Sequence, residues 1–168
     1  MTNVATRAQV DAFFAAYASH DAAAMARLLH DDVEWTINGP VDLLAYCGRR
    51  RGKAAVVDLV SRVFPSIFGP PTIACESVLL DGERAAALTR TSSRSRADGR
   101  IISYRAANFM RFRDGLLIER VAIIDSFDAA EQMLGHPIAV YCSPGHDPLD
   151  LDLGELAACQ DLGRPVAL

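Results

Sequence analysis
Residues 72–127 read TIACESVLL-DG-ERAAALTRTSSRSRA-DG-RIISYRAANFMRFR-DG-LLIERVAIIDSF, with Asp-Gly pairs at 81–82, 98–99 and 114–115. Each pair stands between runs in which apolar and polar residues alternate. Alternation at a period of two marks a strand with one covered face. Asp-Gly suits the tight turn joining two such strands, because glycine reaches positive φ at no steric cost. The spacing predicts strands over Thr72–Leu80, Arg84–Arg96, Arg100–Arg113 and Leu116–Phe127, paired in chain order as an antiparallel meander. A short helix is expected over Asp128–Leu134.

Upstream of Gly69-Pro70-Pro71 the periodicity changes. Val10, Phe13, Phe14 and Tyr17 stand at i, i+3, i+4 and i+7, one apolar helical stripe within Thr6–Ser19. Asp21 is placed to cap a second helix ending at Leu29, with Met25, Leu28 and Leu29 inward. Val33–Ile37 alternates as a short strand, stopped by Asn38-Gly39-Pro40. A third helix fits Gly52–Phe64, with Ala55, Val56, Leu59, Val60 and Val63 on one side; Arg49-Arg50-Arg51 before it reads as a solvated loop. Helix, helix, strand, helix and meander make an α+β order, in which the helices must cover one face of the sheet.

With 168 residues, 51% hydrophobic and 23% charged, the chain suits one globular domain with a sizeable core. The net charge of −4 comes from residues 139–168, where Asp147, Asp150, Asp152, Glu155 and Asp161 face only Arg164; residues 1–138 are balanced. A neutral body with an acidic extension argues against nucleic acid as a partner. No apolar run is long enough for a membrane helix, and the N-terminus lacks a secretory pattern, so a cytoplasmic location is expected. Cys47, Cys75, Cys142 and Cys159 are isolated, and the four histidines have no ligand spacing beside them, so no metal is expected. No dinucleotide or phosphate-loop motif appears, and no cofactor is expected.

The order of elements, with three local patterns, resembles the ketosteroid-isomerase-like superfamily, also called nuclear-transport-factor-two-like, and within it the SnoaL-like domain. The first pattern runs from Phe14 and Tyr17 through His20-Asp21 to Leu28-Leu29-His30-Asp31-Asp32-Val33-Glu34-Trp35. The second is the helix start from Gly48 to Val56, and the third is Asn108 to Gly115 followed by Asp125-Ser126-Phe127-Asp128. The resemblance extends over roughly residues 5–136. It implies a cone-shaped curved antiparallel sheet, packed with three helices around a mostly apolar pocket, commonly in homodimers. Members include isomerases, cyclases, epoxide hydrolases, dehydratases and binding proteins, so the fold does not select a reaction.

The steroid-isomerase pattern of this superfamily needs an aspartate base, a tyrosine and a protonated aspartate. The resemblance puts Ile37, Phe13 and Asn108 at those positions, and the first two cannot move a proton. The epoxide-hydrolase pattern of aspartate, arginine and aspartate falls on Asp125, Arg90 and Ser92, with Trp35 and Ile37 where water-holding groups stand. A cyclase needs an acid or base on the inner wall, for which Asp125 is the candidate.

Alternation places Val121, Ile123 and Asp125 on one face of the last strand. By the same rule Tyr104, Ala106, Asn108 and Met110 share a face of the strand before it, and Ala86, Leu88, Arg90 and Ser92 a face of the one before that. The expected site therefore has Asp125 as acid or base, with Arg90 and Asn108 orienting a small, largely apolar molecule. Trp35, Ile37, Phe13, Tyr17, Ser92, Tyr104, Met110 and Ile123 are expected to line it. Two functions stay open: an isomerase, cyclase or hydrolase, and a non-catalytic ligand-binding module. Arg90 and Asp125 read equally as a structural ion pair. The segment after Pro137 is expected to pack across the pocket mouth or on a partner subunit, through Leu149, Leu151, Leu153 and Leu156.

Overall fold
The computed structural model describes residues 4–138. The chain divides into two units, Met1–Gly135 and His136–Leu168. The expected packing of residues 139–168 lies outside the described residues. Everything below concerns the first unit.

Helix α1 spans Arg7–Ser19, and Thr6 opens it in a capping box with Gln9. Its stripe of Val10, Phe13, Phe14 and Tyr17 is buried, as the heptad spacing requires. His20 takes a left-handed conformation (φ 56°) and turns the chain into α2, Ala22–Leu28. Asp21 caps α2 by accepting from the amides of Ala23 (2.8 Å) and Ala24 (3.0 Å). Strand β1, Leu29–Asn38, follows directly, with Val33, Trp35 and Ile37 facing inward.

Gly48–Arg51 is strand β2, antiparallel to β1, where the sequence reading had a loop. Three consecutive arginines suit an exposed edge strand because each finds an acceptor. Arg49 and Arg51 reach Glu34, and Arg50 donates to the carbonyls of Ala45, Tyr46 and Cys47. The next helical run comprises α3 (Lys53–Asp58), a π-helical turn (Leu59–Val63) and α4 (Phe64–Ile67). Pro65 accounts for the wide turn. It has no N–H for the carbonyl four residues back and its ring collides with that carbonyl, so the helix widens and the Phe64 amide donates to Leu59 O.

The meander forms, as β3 (Thr72–Asp81), β4 (Arg84–Arg94), β5 (Ile101–Arg113) and β6 (Leu116–Ile124). Strand β4 ends two residues and β6 three residues before the expected ends, and a six-residue link around Asp98-Gly99 stands in place of a tight turn. Asp114 (φ 50°) and Gly115 (φ 82°) both have positive φ, as a two-residue turn between Arg113 and Leu116 demands. Helix α5, Ser126–Leu134, begins two residues before the expected start. The six strands form one curved, open sheet in the order β2-β1-β6-β5-β4-β3, and the fold is α+β. The β1–β6 pairing is parallel, so the sheet is mixed and not antiparallel throughout.

One irregularity positions the site. From the Asp114-Gly115 turn, Arg113 pairs with Leu116 and Phe112 with Leu117, but Arg111 pairs with Glu119. Ile118 is therefore an extra residue, a β-bulge, and beyond it every residue of β6 is shifted by one against β5.

Candidate functional site
The concave face of the sheet, together with α1 and the helical run 53–67, encloses an interior dominated by rings. Phe13, Tyr17 and Trp35 pack with centroids 5.7–6.0 Å apart, Tyr17 meets Phe64 at 5.3 Å, and Tyr46 meets Phe64 at 5.3 Å and Phe68 at 5.6 Å. Two small cavities of about 20 Å³ each lie in this interior and share the walls Tyr17, Thr91 and Tyr104. The inner cavity is also bounded by Ile37, Tyr46, Asn108 and Arg120. The outer cavity is bounded by His20, Phe64, Phe68, Pro71 and Ser93. Each has room for about one water-sized group.

Arg120 is the charged group of this interior, 4% exposed. The bulge at Ile118 turns it inward, and the parallel register sets it beside Trp35. Its guanidinium carbon stands 4.2 Å from the Trp35 ring centroid, 5.3 Å from that of Tyr17 and 5.6 Å from that of Phe13. Such ring faces attract a cation, most strongly when water is excluded. Nη2 donates to Asn108 Oδ1 at 2.6 Å. This bond fixes the Asn108 amide, because a guanidinium only donates. Asn108 Nδ2 then donates to Thr89 Oγ1 (3.1 Å) and to the carbonyls of Ala106 (3.3 Å) and Ala87 (3.4 Å), while Thr89 donates to Ala106 O. Both ends of the Asn108 amide are thus engaged. Among the described residues Arg120 Nε and Nη1, Trp35 Nε1 and Tyr46 Oη make no hydrogen bond of ordinary geometry, although the Tyr17 hydroxyl interacts with the Arg120 guanidinium and the Tyr46 and Tyr104 hydroxyls with each other.

Burial governs the protonation of these groups. It lowers the pKa of Arg120 from its usual value, while Tyr17 and Tyr104 beside it act in the opposite sense. It pushes the tyrosine hydroxyls of Tyr17, Tyr46 and Tyr104 up, so they remain protonated. The Cys47 thiol is pushed up to about 11 by burial. His20, on the outer cavity, is lowered by burial and then by Arg96, which favours neutral imidazole.

Seven of the expected site residues lie inside. Tyr17, Ile37, Tyr104 and Asn108 line the inner cavity, Phe13 and Trp35 pack around Arg120, and Met110 is buried next to it in register. The other four do not. Arg90 lies on the convex face, its side chain 53% exposed, and pairs with Glu76 (3.3 Å). Ser92 bonds Ser103 on that face, and Ile123 is 51% exposed. Asp125 is exposed and caps α5 by accepting from the Asp128 amide at 3.4 Å. Arg90 and Asp125 make no ion pair among the described residues.

The physical reason for this correction is phase. On β4 the inward row is Ala85, Ala87, Thr89, not Ala86, Leu88, Arg90. On β6 it is Arg120, Ala122, Ile124, not Val121, Ile123, Asp125. Without the bulge, the Asp114-Gly115 turn sets Asn108 opposite Val121, whereas its partner is Ala122. Sequence reasoning missed Arg120, Tyr46, Thr89 and Thr91. The available signal was a charged pair, Glu119-Arg120, inside an otherwise apolar run, Leu116–Ile124.

The SnoaL-like domain family matches residues 10–120. Among solved structures, a candidate isomerase from Rhodopseudomonas palustris is 30% identical, with TM-score 0.72, over 79% of this chain and 100% of that one. A nuclear-transport-factor-two-like protein from Burkholderia thailandensis is 23% identical, with TM-score 0.64, over 75% of this chain and 95% of that one. An LEH-like epoxide hydrolase from M. tuberculosis is 17% identical, with TM-score 0.63, over 76% and 88%. The last two share the fold alone. No curated protein matches the chain.

Proposed function
The chain belongs to the SnoaL-like domain family, and on that premise we propose that it is a pocket protein for a small, largely apolar molecule held in the cone. One observation carries this reading. The interior is a wall of rings and aliphatic groups in which the polar side chains converge on one place, Arg120 with Asn108, bordered by a cavity. An apolar wall with a few convergent polar groups is the usual make-up of a small-molecule site. The cavities are narrow, so a ligand larger than a few atoms must part the rings of Tyr46, Phe64 and Phe68.

Acid or base catalysis by Asp125 has no support in its placement, and none of the described residues bounding either cavity is a carboxylate. This favours the binding module. An isomerase is favoured by a different observation: His20, whose neutral imidazole burial favours, lies on the outer cavity, while Arg120 on the inner one can hold a developing oxyanion. The candidate isomerase from R. palustris, related along its whole length, points the same way. A homodimer formed through the convex face is part of the proposal, supported by Leu79, Phe109 and Ile123 exposed there.

The experiment is a screen of small enones, phenols and aromatic acids against the full chain. Binding is followed through Trp35, the single tryptophan, and each ligand is recovered for mass and isomer analysis. Saturable binding with the ligand recovered unchanged supports the module, and a rearranged ligand supports the isomerase. No binding across the set rejects the pocket reading.

A further inference from the structure
The polar groups of the interior are unbalanced in one direction. Of the four buried side-chain nitrogen and oxygen atoms that make no hydrogen bond of ordinary geometry among the described residues, three belong to Arg120 and Trp35, which can donate but never accept. The fourth, Tyr46 Oη, can do either. Arg120 Nε carries one hydrogen and Nη1 two, so most of its N–H groups are open. The acceptors it meets among the described residues, the Asn108 amide and the Tyr17 hydroxyl, are neutral. Acidic side chains on the same sheet are on the other face or at its edge, where Glu76 serves Arg90 and Arg105, Glu119 serves Arg111, and Glu34 serves Arg49 and Arg51.

A buried cation without a counter-charge is costly, and ring faces return only part of that cost. Guanidinium stays charged even when buried. The surplus is therefore specific: among the described residues this interior holds a positive charge and spare donors but no negative charge, and Arg120 and Tyr46 line the inner cavity. Resting on the pocket reading above, we propose that the ligand is a small planar carboxylic acid, bound as its carboxylate on Arg120 in the inner cavity. Its apolar body passes between Tyr17 and Tyr104, which border both cavities, into the outer one. Each cavity has about 20 Å³, room for one water-sized group, so the rings must part to admit the carboxylate, and the body must be flat. A guanidinium recognises a carboxylate by paired hydrogen bonds as well as by charge.

The test titrates the full chain with benzoate, benzamide and sodium chloride at equal ionic strength, reading the emission of Trp35, whose ring lies 4.2 Å from the Arg120 guanidinium carbon. Benzoate and benzamide share shape and differ in charge. The expected result is a saturable change with benzoate, at least about tenfold tighter than with benzamide, because a charged acceptor on a charged donor is held more strongly than a neutral one. Arg120→Gln should abolish the preference, and Arg120→Lys should keep part of it. Benzoate and benzamide binding equally overturns the carboxylate while the pocket reading stands. Chloride matching benzoate overturns it in favour of a bare anion site. No response to benzoate, when neutral molecules of the earlier screen bind, also overturns it alone; no response to any molecule removes both readings. Since the wild-type comparison needs no variant, a poorly folding Arg120→Gln does not protect the proposal.

Discussion
The two faces of the sheet carry charge in opposite ways. On the convex face arginines outnumber acids, yet Glu76 joins Arg90 and Arg105, and Arg111 meets Glu119 at 2.9 Å. These pairs are hydrated, so each contributes little and each could be lost without harm. On the concave face, among the described residues, one guanidinium is sealed among rings, with a neutral amide and a neutral hydroxyl for partners and no counter-charge. Folding alone favours the first arrangement and disfavours the second. A feature that burdens the fold while adjoining a cavity is where a function is to be sought, whereas a well-paired surface is not.

The contrast can be broken most directly at Trp35. Trp35→Ala removes the ring on which Arg120 rests and leaves a void in a site that is 0% exposed. The expected loss is about 3–5 kcal/mol in urea unfolding followed by circular dichroism. A loss below about 1 kcal/mol would show that the ring stack is not what holds the cation. A smaller effect is expected at Asp125, whose 3.4 Å cap is weak. Asp125→Ala should cost about 0.5–1 kcal/mol and leave ligand binding unchanged. A stable variant that no longer binds would return Asp125 to the site.

The smallest effect is expected at Glu76. Arg105 first, and Arg90 after it, hold its carboxyl below the usual carboxylate value. A lowered folded-state pKa contributes stability above the unfolded value, and that stability is lost as pH falls through the folded one. Glu76→Gln should therefore melt nearly with the wild type at neutral pH, and any gap should close below the ordinary carboxylate range. A gap that stays constant into strong acid would mean that the ion pair is not its source.

How much of this was legible in the sequence depends on contrast between neighbours. The meander could be read because Asp81-Gly82, Asp98-Gly99 and Asp114-Gly115 mark its turns chemically. The inward row of β5 could be read because arginines at 105, 111 and 113 alternate with Tyr104, Asn108 and Phe112. On β4, Ala85-Ala86-Ala87-Leu88 offers no contrast, and either phase fits. On β6 both faces are apolar, and nothing in Leu117-Ile118 announces a bulge. The parallel β1–β6 pairing was equally hidden, because it joins segments at opposite ends of the domain. The charged centre was missed since arginine reads as a surface residue unless its register is known.

Ile118 makes strand β6 a question of odd and even. With it, positions 120, 122 and 124 belong to the interior and 121 and 123 to the exterior; remove it and the two sets exchange places with no change in the rest of the chain. A relative aligned here column by column, without a gap, would match residues that look in opposite directions whenever it lacks the extra residue. Comparisons of pocket residues across such chains should be made by the face each residue occupies, and a lineage that gains or drops this one position can replace its whole β6 wall in a single step.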